Sequence, residues 1–523
     1  MKALATVCAV VLGAVLLAAA AWAGTSYPPI PPGPSTVLPD VVGAAATPQP
    51  VSVSIPQNPS LAPNPFSSLH NDRWNSDVFG VWAPLGSDPQ VFSSTLGASV
   101  LGGKQMTTSM AVDTYGRLVA IAIDSSGSYL LLIDPESLEV LCSKLLGAGS
   151  RQAIGSAYWY LDPQDRVTVV SGTDKIMTVR EGGTLSQPEL DVVSRRQYDL
   201  STVDPSPIPD GDKLNGIMAD WKGRIWFPTA GATAAPRVGV IDPATWPKAP
   251  WAQLGTGAHI WNGFAVTEHG AYALTLRKLY RLRAGSDDRP RIVWSALYKT
   301  SGKTPPGQCS LGSGTSPAIL GDGKYVAIAD NAAQIHMVVY RTAARLKPGQ
   351  AVESSLLGAS CSLIAENNYG HSWSFNQNGD MSSTGGLPGL ERVDIKKDGT
   401  GLVKVWENDE VASMTTPKLS TKTSLVYLLA RARRPDGRRR FLLDGRRLPH
   451  RQGGLAEAGR RRPGLRQLLG GAVGRPQRRH LRGRLRRSGL RQPPSLIAAR
   501  PPEAHGEPDE DGRAATAARP SCG

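Results

Sequence analysis

Short apolar runs, each preceded by a polar turn, repeat along the chain from about residue 74 to residue 429. In the first of two patterns, an acidic or polar residue and a turn precede a strand-like run, as in AVDTYGRLVAIAI, YLDPQDRVTVV, MADWKGRIWFP, AVTEHGAYALT and ILGDGKYVAIA. Successive copies are 49, 58, 48 and 54 residues apart, counted between Asp113, Asp162, Asp220, Glu268 and Asp322. This spacing is typical of the blades of a β-propeller.

The second pattern is a strand, an acidic turn and another strand, and it follows most copies of the first. It occurs as LLLIDPESLEVL, VGVIDPATWPKAPW, LYRLRAGSDDRPRIVW and LERVDIKKDGTGLVKVW. Asp-Pro and Asp-Gly pairs between alternating runs predict hairpins. The terminal residues Trp294 and Trp406 are predicted to pack between blades rather than to contact a ligand.

Counting the repeats gives seven units, the last of them at PKLSTKTSLVYLL from Pro417. The sequence therefore predicts an all-β fold, a seven- or eight-bladed β-propeller over residues 73–429. It is expected to be incomplete at the C-terminus, without the outer strands of its last blade, and to be monomeric.

The N-terminus predicts export. Lys2 is followed by an apolar run from Ala3 to Ala21 and by the small-x-small site Ala21-Trp22-Ala23, so residues 1–23 are predicted to be a signal peptide. An uncleaved anchor is the alternative. Residues 24–72 hold twelve prolines and no sustained periodicity, which predicts a disordered tether. The predicted location is extracytoplasmic, secreted or in the cell envelope.

Net charge separates the last part of the chain from the rest. Residues 431–523 carry 24 arginines, no lysine and 8 acidic residues, whereas residues 1–430 carry 34 basic and 35 acidic residues. The overall charge of +15 therefore says nothing about the exported domain, and no nucleic-acid partner is predicted.

The arginine-rich tail, residues 430–523, is predicted to be disordered and to be a frameshift product. It lacks Asn, Tyr, Trp and Met, and GC-rich DNA translated in the wrong frame yields such a composition. A shift of one base across Asp444 to Gly459 permits the string TAVDFRTGKVVWQKR, which continues the upstream hairpin motif. A genuine basic tail is the alternative.

Polar residues at strand ends are the first candidates for chemistry, because propellers place ligands at the mouth of the central channel. Asp330 and Asn331 follow the run KYVAIA, and Glu366 and Asn367 follow CSLIA at the corresponding place in the next unit. Carboxylate and amide oxygens from neighbouring blades suit Ca²⁺. The alternative is that these residues are turn residues that cap strand ends.

Three further residues are candidates for ligand binding. Ser313 and Thr315 precede the inner strand of the fifth unit and could present hydroxyls to an anion or a sugar, although the glycines around them favour the alternative, a tight turn between blades. His371 follows ENNYG and could reach the channel mouth. No HExxH, GxSxG or CxxCH motif occurs.

Three cysteines lie in the predicted mature domain. Export permits a disulfide, and Cys309 and Cys361 lie in consecutive units, so they are the predicted pair. Cys142 would then be a buried free thiol. An odd number of cysteines also leaves open that none is paired.

The segments GSGTSPAILGDGKYVAIADN and AENNYGHSWSF, together with the LLLIDPESLEVL hairpins, resemble an uncharacterised family of secreted actinobacterial β-propeller proteins. That family is near the quinoprotein-dehydrogenase-like and SMP-30/gluconolactonase-like propellers. The resemblance implies fold and export, and it spans roughly residues 75–429. SMP-30-like propellers bind catalytic calcium through Glu, Asn and Asp residues, whereas pyrroloquinoline quinone enzymes use hairpins similar to those seen here.

Two classes of function follow from these features. The first is a secreted propeller that binds a small molecule, a glycan or an envelope partner at the channel mouth. The second is an enzyme, either a calcium-dependent lactonase or esterase or, with less support, a quinoprotein dehydrogenase. The lack of a compact catalytic motif favours the first class.

Overall fold

A computed structural model of the chain describes residues 46–63, 67–70, 72–85, 106–123, 127–148, 158–172, 174–184, 187–256, 258–262, 264–304, 308, 310–332, 335–341, 356–368, 374–375, 381–382, 389–408, 416–433, 439–447 and 465–469. Within these ranges the regular structure is β-strand, apart from one 3-10 turn at Leu200–Thr202. The described residues include no helix with the length and apolarity that a membrane crossing requires.

The strands form seven sheets of three or more strands, and five of these sheets consist of strands consecutive in sequence. The first strand in the chain, β1 (Val78–Phe79), belongs to the last sheet. Blades 1 to 4 have four antiparallel strands each. Blade 1 consists of β2 (Met106–Val112), β3 (Leu118–Ile123), β4 (Gly127–Ile133) and β5 (Val140–Ala148), and blade 2 of β6 (Tyr160–Leu161), β7 (Val167–Ser171), β8 (Lys175–Gly183) and β9 (Pro188–Asp199). Blade 3 consists of β10 (Met218–Ala219), β11 (Ile225–Pro228), β12 (Arg237–Ile241) and β13 (Trp251–Gln253), and blade 4 of β14 (Ala265–Thr267), β15 (Gly270–Leu274), β16 (Lys278–Ala284) and β17 (Pro290–Leu297).

Blades 5 to 7 continue the same order. Blade 5 consists of β18 (Ala318–Leu320), β19 (Tyr325–Ala329) and β20 (Met337–Arg341). Blade 6 consists of β21 (Leu357–Ala359), β22 (Ser362–Glu366), β25 (Leu390–Ile395) and β26 (Leu402–Asn408), and blade 7 of β27 (Lys418–Ser420), β28 (Leu425–Arg433), β29 (Arg439–Arg447) and β30 (Leu465–Leu469). A small hairpin of β23 (Ser374–Phe375) and β24 (Met381–Ser382) lies between β22 and β25 in the sequence. Seven antiparallel meanders of this kind are the blades of a β-propeller, which confirms the predicted fold.

The core consists mainly of apolar layers between consecutive blades. One buried cluster joins each pair from blades 1 and 2 to blades 6 and 7. Trp294 lies between blades 4 and 5, with its ring centroid 6.1 Å from that of Tyr272 and 6.3 Å from that of Tyr340. Trp406 packs against the cluster between blades 6 and 7. Both tryptophans therefore pack between blades, as predicted.

The first sequence pattern is the turn between the first two strands of a blade. In blades 1, 2 and 3, one carboxylate oxygen of the leading aspartate accepts two backbone N–H groups of the turn, and the other accepts Nε of an arginine four residues later. The aspartate–arginine distances are 2.7, 2.7 and 2.8 Å, for Asp113 with Arg117, Asp162 with Arg166 and Asp220 with Arg224. These charge-assisted bonds close the turn.

We expect Asp220→Asn to lower the free energy of unfolding by about 2 kcal/mol, because hydrogen bonds to charged groups contribute about 1.5–3 kcal/mol. Asp220 is buried and also accepts Nε1 of Trp226 at 3.0 Å. Urea unfolding measures the change. Asp322→Asn is the matched control, because Asp322 is the second residue of the corresponding turn of blade 5, which begins at Gly321, and it is exposed; equal losses in the two variants would contradict the role given to Asp220.

Two boundaries differ from those predicted. Residues 46–63 and 67–70 lie within the predicted tether, yet many of them are hydrogen-bonded to the blades or buried. At the other end, β29 and β30 pair with β28 and with each other inside the predicted tail. Ladder hydrogen bonds use backbone groups that every sequence carries, so an unusual composition does not prevent strand pairing. The frameshift origin of this tail stays a prediction.

The cysteines agree in part with the prediction. Cys361 is disulfide-bonded, and Cys142 is a free thiol. Cys142 is half-buried rather than buried, and this burial raises the pKa of its thiol. Cys309 lies outside the described residues, so its pairing with Cys361 stays a prediction.

Candidate ligand site at the channel mouth

The two ends of the channel are built from different loops. The inner strands, which line the channel, are β2, β6, β10, β14, β18, β21 and β27. We call the end that carries the aspartate–arginine turns the turn face. We call the opposite end, where the chain enters each inner strand, the mouth face. Loops that leave the second strand of each blade also lie on the mouth face, because antiparallel neighbours end on opposite sides.

The channel itself is occupied by the chain. Residues 58–63, 67–70 and 72–79, which we call the channel segment, are hydrogen-bonded to inner strands of blades 2 to 7. Residues that precede and follow this segment contact the turn face: Val51 N–H donates to Thr421 O at 2.8 Å, and the Tyr427 hydroxyl donates to Pro84 O at 2.9 Å. A ligand therefore has access to the mouth face rather than to the length of the channel.

On the mouth face, four loops meet at Asn262, in the loop before β14. The side chain of Asn215, before β10, donates to the Asn262 carbonyl at 3.3 Å. The Tyr158 hydroxyl, before β6, lies 3.5 Å from Oδ1 of Asn262. Nδ2 of Asn262 donates to the carbonyl of Gly314, before β18. Blades 2, 3, 4 and 5 are thus joined at one asparagine.

Aromatic side chains lie next to this junction in the sequence of the same loop. The rings of His259 and Trp261 are 5.6 Å apart and inclined by 34°. Burial lowers the pKa of His259, so its imidazole is neutral at pH 7. Tyr158, His259, Trp261 and Asn262 are all half-buried. These four residues, which we call the candidate surface, supply amide, hydroxyl, imidazole and indole groups and no net charge.

Ser313 and Thr315 lie behind this surface. Both are buried, their hydroxyl oxygens are 2.8 Å apart, and the Thr315 hydroxyl accepts the N–H of Ala329 at 3.0 Å. Gly312 is required by a close approach, because a Cβ there would lie 2.5 Å from Cα of Leu276. The hydroxyls hold the loop against β19, and the carbonyl of Gly314 is the part of this segment that reaches the junction.

Asp330 and Asn331 follow β19, which is the second strand of blade 5 and not its inner strand. The Asp330 carboxylate accepts the N–H groups of Ala332 and His336 and lies 2.9 Å from Nδ1 of His336. The Asn331 side chain donates to the carbonyls of Lys303 at 3.2 Å and Gly312 at 3.1 Å. Both side chains hold their own loop in place.

Glu366 and Asn367 occupy the equivalent position at the end of β22 in blade 6. Glu366 is buried, and the Asn367 N–H donates to Gly389 O at 2.9 Å. No group of three or more His, Cys, Asp or Glu side chains suited to a metal ion occurs among the residues that the structure describes. Calcium at Asp330, Asn331, Glu366 and Asn367 stays a prediction, and His371 lies outside the described residues.

Sequence reasoning missed Tyr158, Asn215 and Asn262. Each stands a few residues before an inner strand, at the position that Ser313 and Thr315 occupy in blade 5. Aligning the polar residues before every inner strand, rather than those after the second strand, would have found them.

No protein-family model and no curated protein matches the chain. Among solved structures, the Dos1 propeller is 11% identical with a TM-score of 0.39, and the match covers 64% of this chain and 80% of that one. A candidate 6-phosphogluconolactonase from Bacteroides fragilis is 13% identical with a TM-score of 0.34, covering 61% and 90%. A luciferin-regenerating enzyme is 13% identical with a TM-score of 0.30, covering 53% and 88%.

Identities this low bear on architecture alone. The seven antiparallel sheets and the apolar layers between them assign the described part of the chain to the seven-bladed β-propeller fold.

Proposed function

We propose that this chain is an exported β-propeller that binds a neutral polar small molecule or a glycan at the mouth face. The observation that carries the proposal is the junction at Asn262, where polar groups from blades 2 to 5 meet and whose loop also carries the paired rings of His259 and Trp261. Ligand sites typically combine aromatic walls with a few converging polar groups. Indole and phenol rings offer an apolar face with a polar edge, which suits the faces of sugars.

The charge at the mouth face favours an uncharged ligand. His259 is neutral at pH 7, and the carboxylate of Asp212 is held by the N–H groups of Gly231 at 2.9 Å and Ala232 at 3.2 Å. We therefore expect hydroxyl-rich ligands to bind in preference to phosphorylated or carboxylated ones.

A glycan array probed with the purified full-length chain tests the proposal, followed by calorimetry on each hit. We expect Trp261→Ala to weaken binding at least roughly tenfold, because base- or sugar-sized stacking on an aromatic ring contributes on the order of 1 kcal/mol or more. Trp82→Ala is the matched control, since Trp82 is 62% exposed and lies away from this loop in the sequence. Equal binding by both variants and the unchanged chain would contradict the site.

The response to calcium distinguishes the enzyme class of function from the ligand-binding class. A rise in melting temperature on adding Ca²⁺ that Asp330→Asn abolishes would support a calcium-dependent lactonase or esterase. Such a site requires Asp330 to exchange its contact with His336 for the metal. Export is tested independently by locating the mature chain and sequencing its N-terminus.

A further inference from the structure

The channel segment contacts the inner strands of six blades. Near its start, the Asn58 side chain donates to Ala219 O in blade 3 at 3.0 Å. Blade 2 is held by two bonds at the channel edge of Leu161, since Ala62 N–H donates to Leu161 O at 2.9 Å and Leu161 N–H donates to Ser67 O at 3.0 Å. The first residues of the segment are therefore bound to blades 2 and 3, ahead of the residues that contact blades 4 to 7.

Further along, carbonyls of the segment accept one N–H from each of blades 4, 5, 6 and 7. The pairs are Arg73 with Val266 at 3.1 Å, Trp74 with Ile319 at 2.8 Å, Ser76 with Gly358 at 3.0 Å and Asp77 with Leu419 at 3.0 Å. Each donor is the central residue of a three-residue inner strand. The segment thus satisfies the edge that each inner strand turns towards the channel.

Two left-handed residues give the segment the curvature that this pattern needs. Asn75 has φ of 53° and Asp77 has φ of 58°. In an extended strand successive carbonyls point to opposite sides, so a straight segment could not reach four consecutive blades in this way. Asn and Asp are the residues other than glycine that tolerate this conformation best.

The segment also joins the two ends of the described chain. Its last residues form β1, which pairs in parallel with the inner strand β27 of blade 7, while the chain that follows leads to β2 of blade 1. Blade 7 is the one described sheet of three or more strands that combines strands from distant parts of the sequence. A propeller needs a link of this kind between its first and last blades, because the chain does not run directly from one of these two blades to the other.

We propose that the channel segment closes the propeller ring from inside, and that the blades unfold as one unit because of it. The bonds to blades 2 to 7 run through a single continuous peptide, so opening any one blade must disturb the anchor of the others. This inference does not depend on what the mouth face binds.

Hydrogen exchange on the full-length chain tests the proposal. The amides of Val266, Ile319, Gly358 and Leu419 should exchange at one common slow rate. In Asn75→Val we expect all four to exchange at least roughly tenfold faster, because a β-branched residue at positive φ is strongly disfavoured. Asn75→Gly is the matched control: it also removes the side-chain bond to Pro317 O but permits φ of 53°, so exchange should change less.

Faster exchange confined to Ile319 and Gly358, the two amides nearest to Asn75, would overturn the proposal. A second measurement keeps the test valid if Asn75→Val does not fold. A specific protease site is inserted between residues 86 and 105, and the folded protein is cut. We expect the two pieces to elute together and to unfold in urea in one transition; release of the N-terminal piece with an unchanged midpoint would contradict ring closure.

Discussion

Replacing Asp77 by asparagine should lower the free energy of unfolding by about 3 kcal/mol, although the side chain lies inside the channel and far from the candidate ligand site. Asp77 is fully buried, lies 3.0 Å from Nδ1 of His70 and contacts Nζ of Lys418. Removing one partner of a buried ion pair typically costs about 3–5 kcal/mol, because the other charge is left uncompensated. Asparagine accepts the positive φ at this position, so the backbone is preserved.

The pKa of Asp77 supports this expectation. Burial raises the pKa of its carboxyl, but attraction to Lys418 and His70 outweighs burial and holds the pKa below its usual value. The ionised carboxylate therefore stabilises the fold at neutral pH, and this contribution disappears as the pH falls through the lowered pKa.

Urea unfolding of Asp77→Asn, Lys418→Met and the double variant measures the effect. The double variant should lose less than the sum of the two single variants, because the charge left behind in each single variant is then absent. Asp134→Asn is a control at an exposed turn, where we expect a much smaller change than in Asp77→Asn. Strict additivity would mean that Asp77 and Lys418 do not interact.

The second large effect concerns pH. Burial raises the pKa of Asp72 to about 7, since the carboxyl is fully enclosed in the channel; hydrogen bonds from Ser76 and Trp74 offset only part of the cost. The folded state therefore holds a proton on Asp72 that the unfolded chain releases near its ordinary pKa of 3.8. A raised pKa makes stability fall as the pH rises from about 4 to about 7, with no further loss above that.

We expect Asp72→Asn to flatten this pH dependence. Asparagine stays neutral at every pH, so at pH 8 the variant should be as stable as the unchanged protein or more stable. Between pH 4 and pH 8 the free energy of unfolding of the variant should change relative to that of the unchanged protein by an amount on the order of a few kcal/mol. Urea midpoints measured from pH 4.5 to pH 8 test this. Burial also raises the pKa of Glu181 to about 7, so part of the pH dependence of stability should remain in the Asp72→Asn variant. Identical slopes in both proteins would contradict the burial of Asp72.

Much of the fold could be predicted because each blade repeats its own local signals. The aspartates that open the first pattern, such as Asp113 and Asp162, form the turn that their spacing predicted. The acidic turns of the second pattern connect the outer strands; Asp134, for example, accepts the N–H of Ser137 at 2.7 Å. These features depend on a few neighbouring residues, and a sequence displays them directly.

The channel segment could not be predicted in this way. Its proline content and lack of periodicity indicate disorder, and an isolated chain of this composition has no apolar face to bury. The partners that hold Ser67 and Trp74 are backbone groups of Leu161 and Ile319, which follow them in the chain by 94 and 245 residues. Amino-acid composition carries no information about these backbone partners, so the predicted start of the folded domain lies too far along the chain.

The candidate site was predicted only at the level of its loops. Ser313 and Thr315 belong to the loop that contributes Gly314, but their hydroxyls face inwards. Asn262 carries no motif, and its importance arises from which loops the ring brings beside it. Residues joined across four blades leave no pattern in a single repeat.

The position of the channel segment also determines the order in which the molecule can be assembled during synthesis. Lys418, which holds Asp77, follows it by 341 residues, so the first described part of the domain completes its contacts only after almost the last described part has been made. Until then the channel edges of the inner strands are not all bonded, and partly made chains could pair through them. Slow synthesis should therefore favour aggregation, and the demand for chaperone binding should be greatest just before the seventh blade appears.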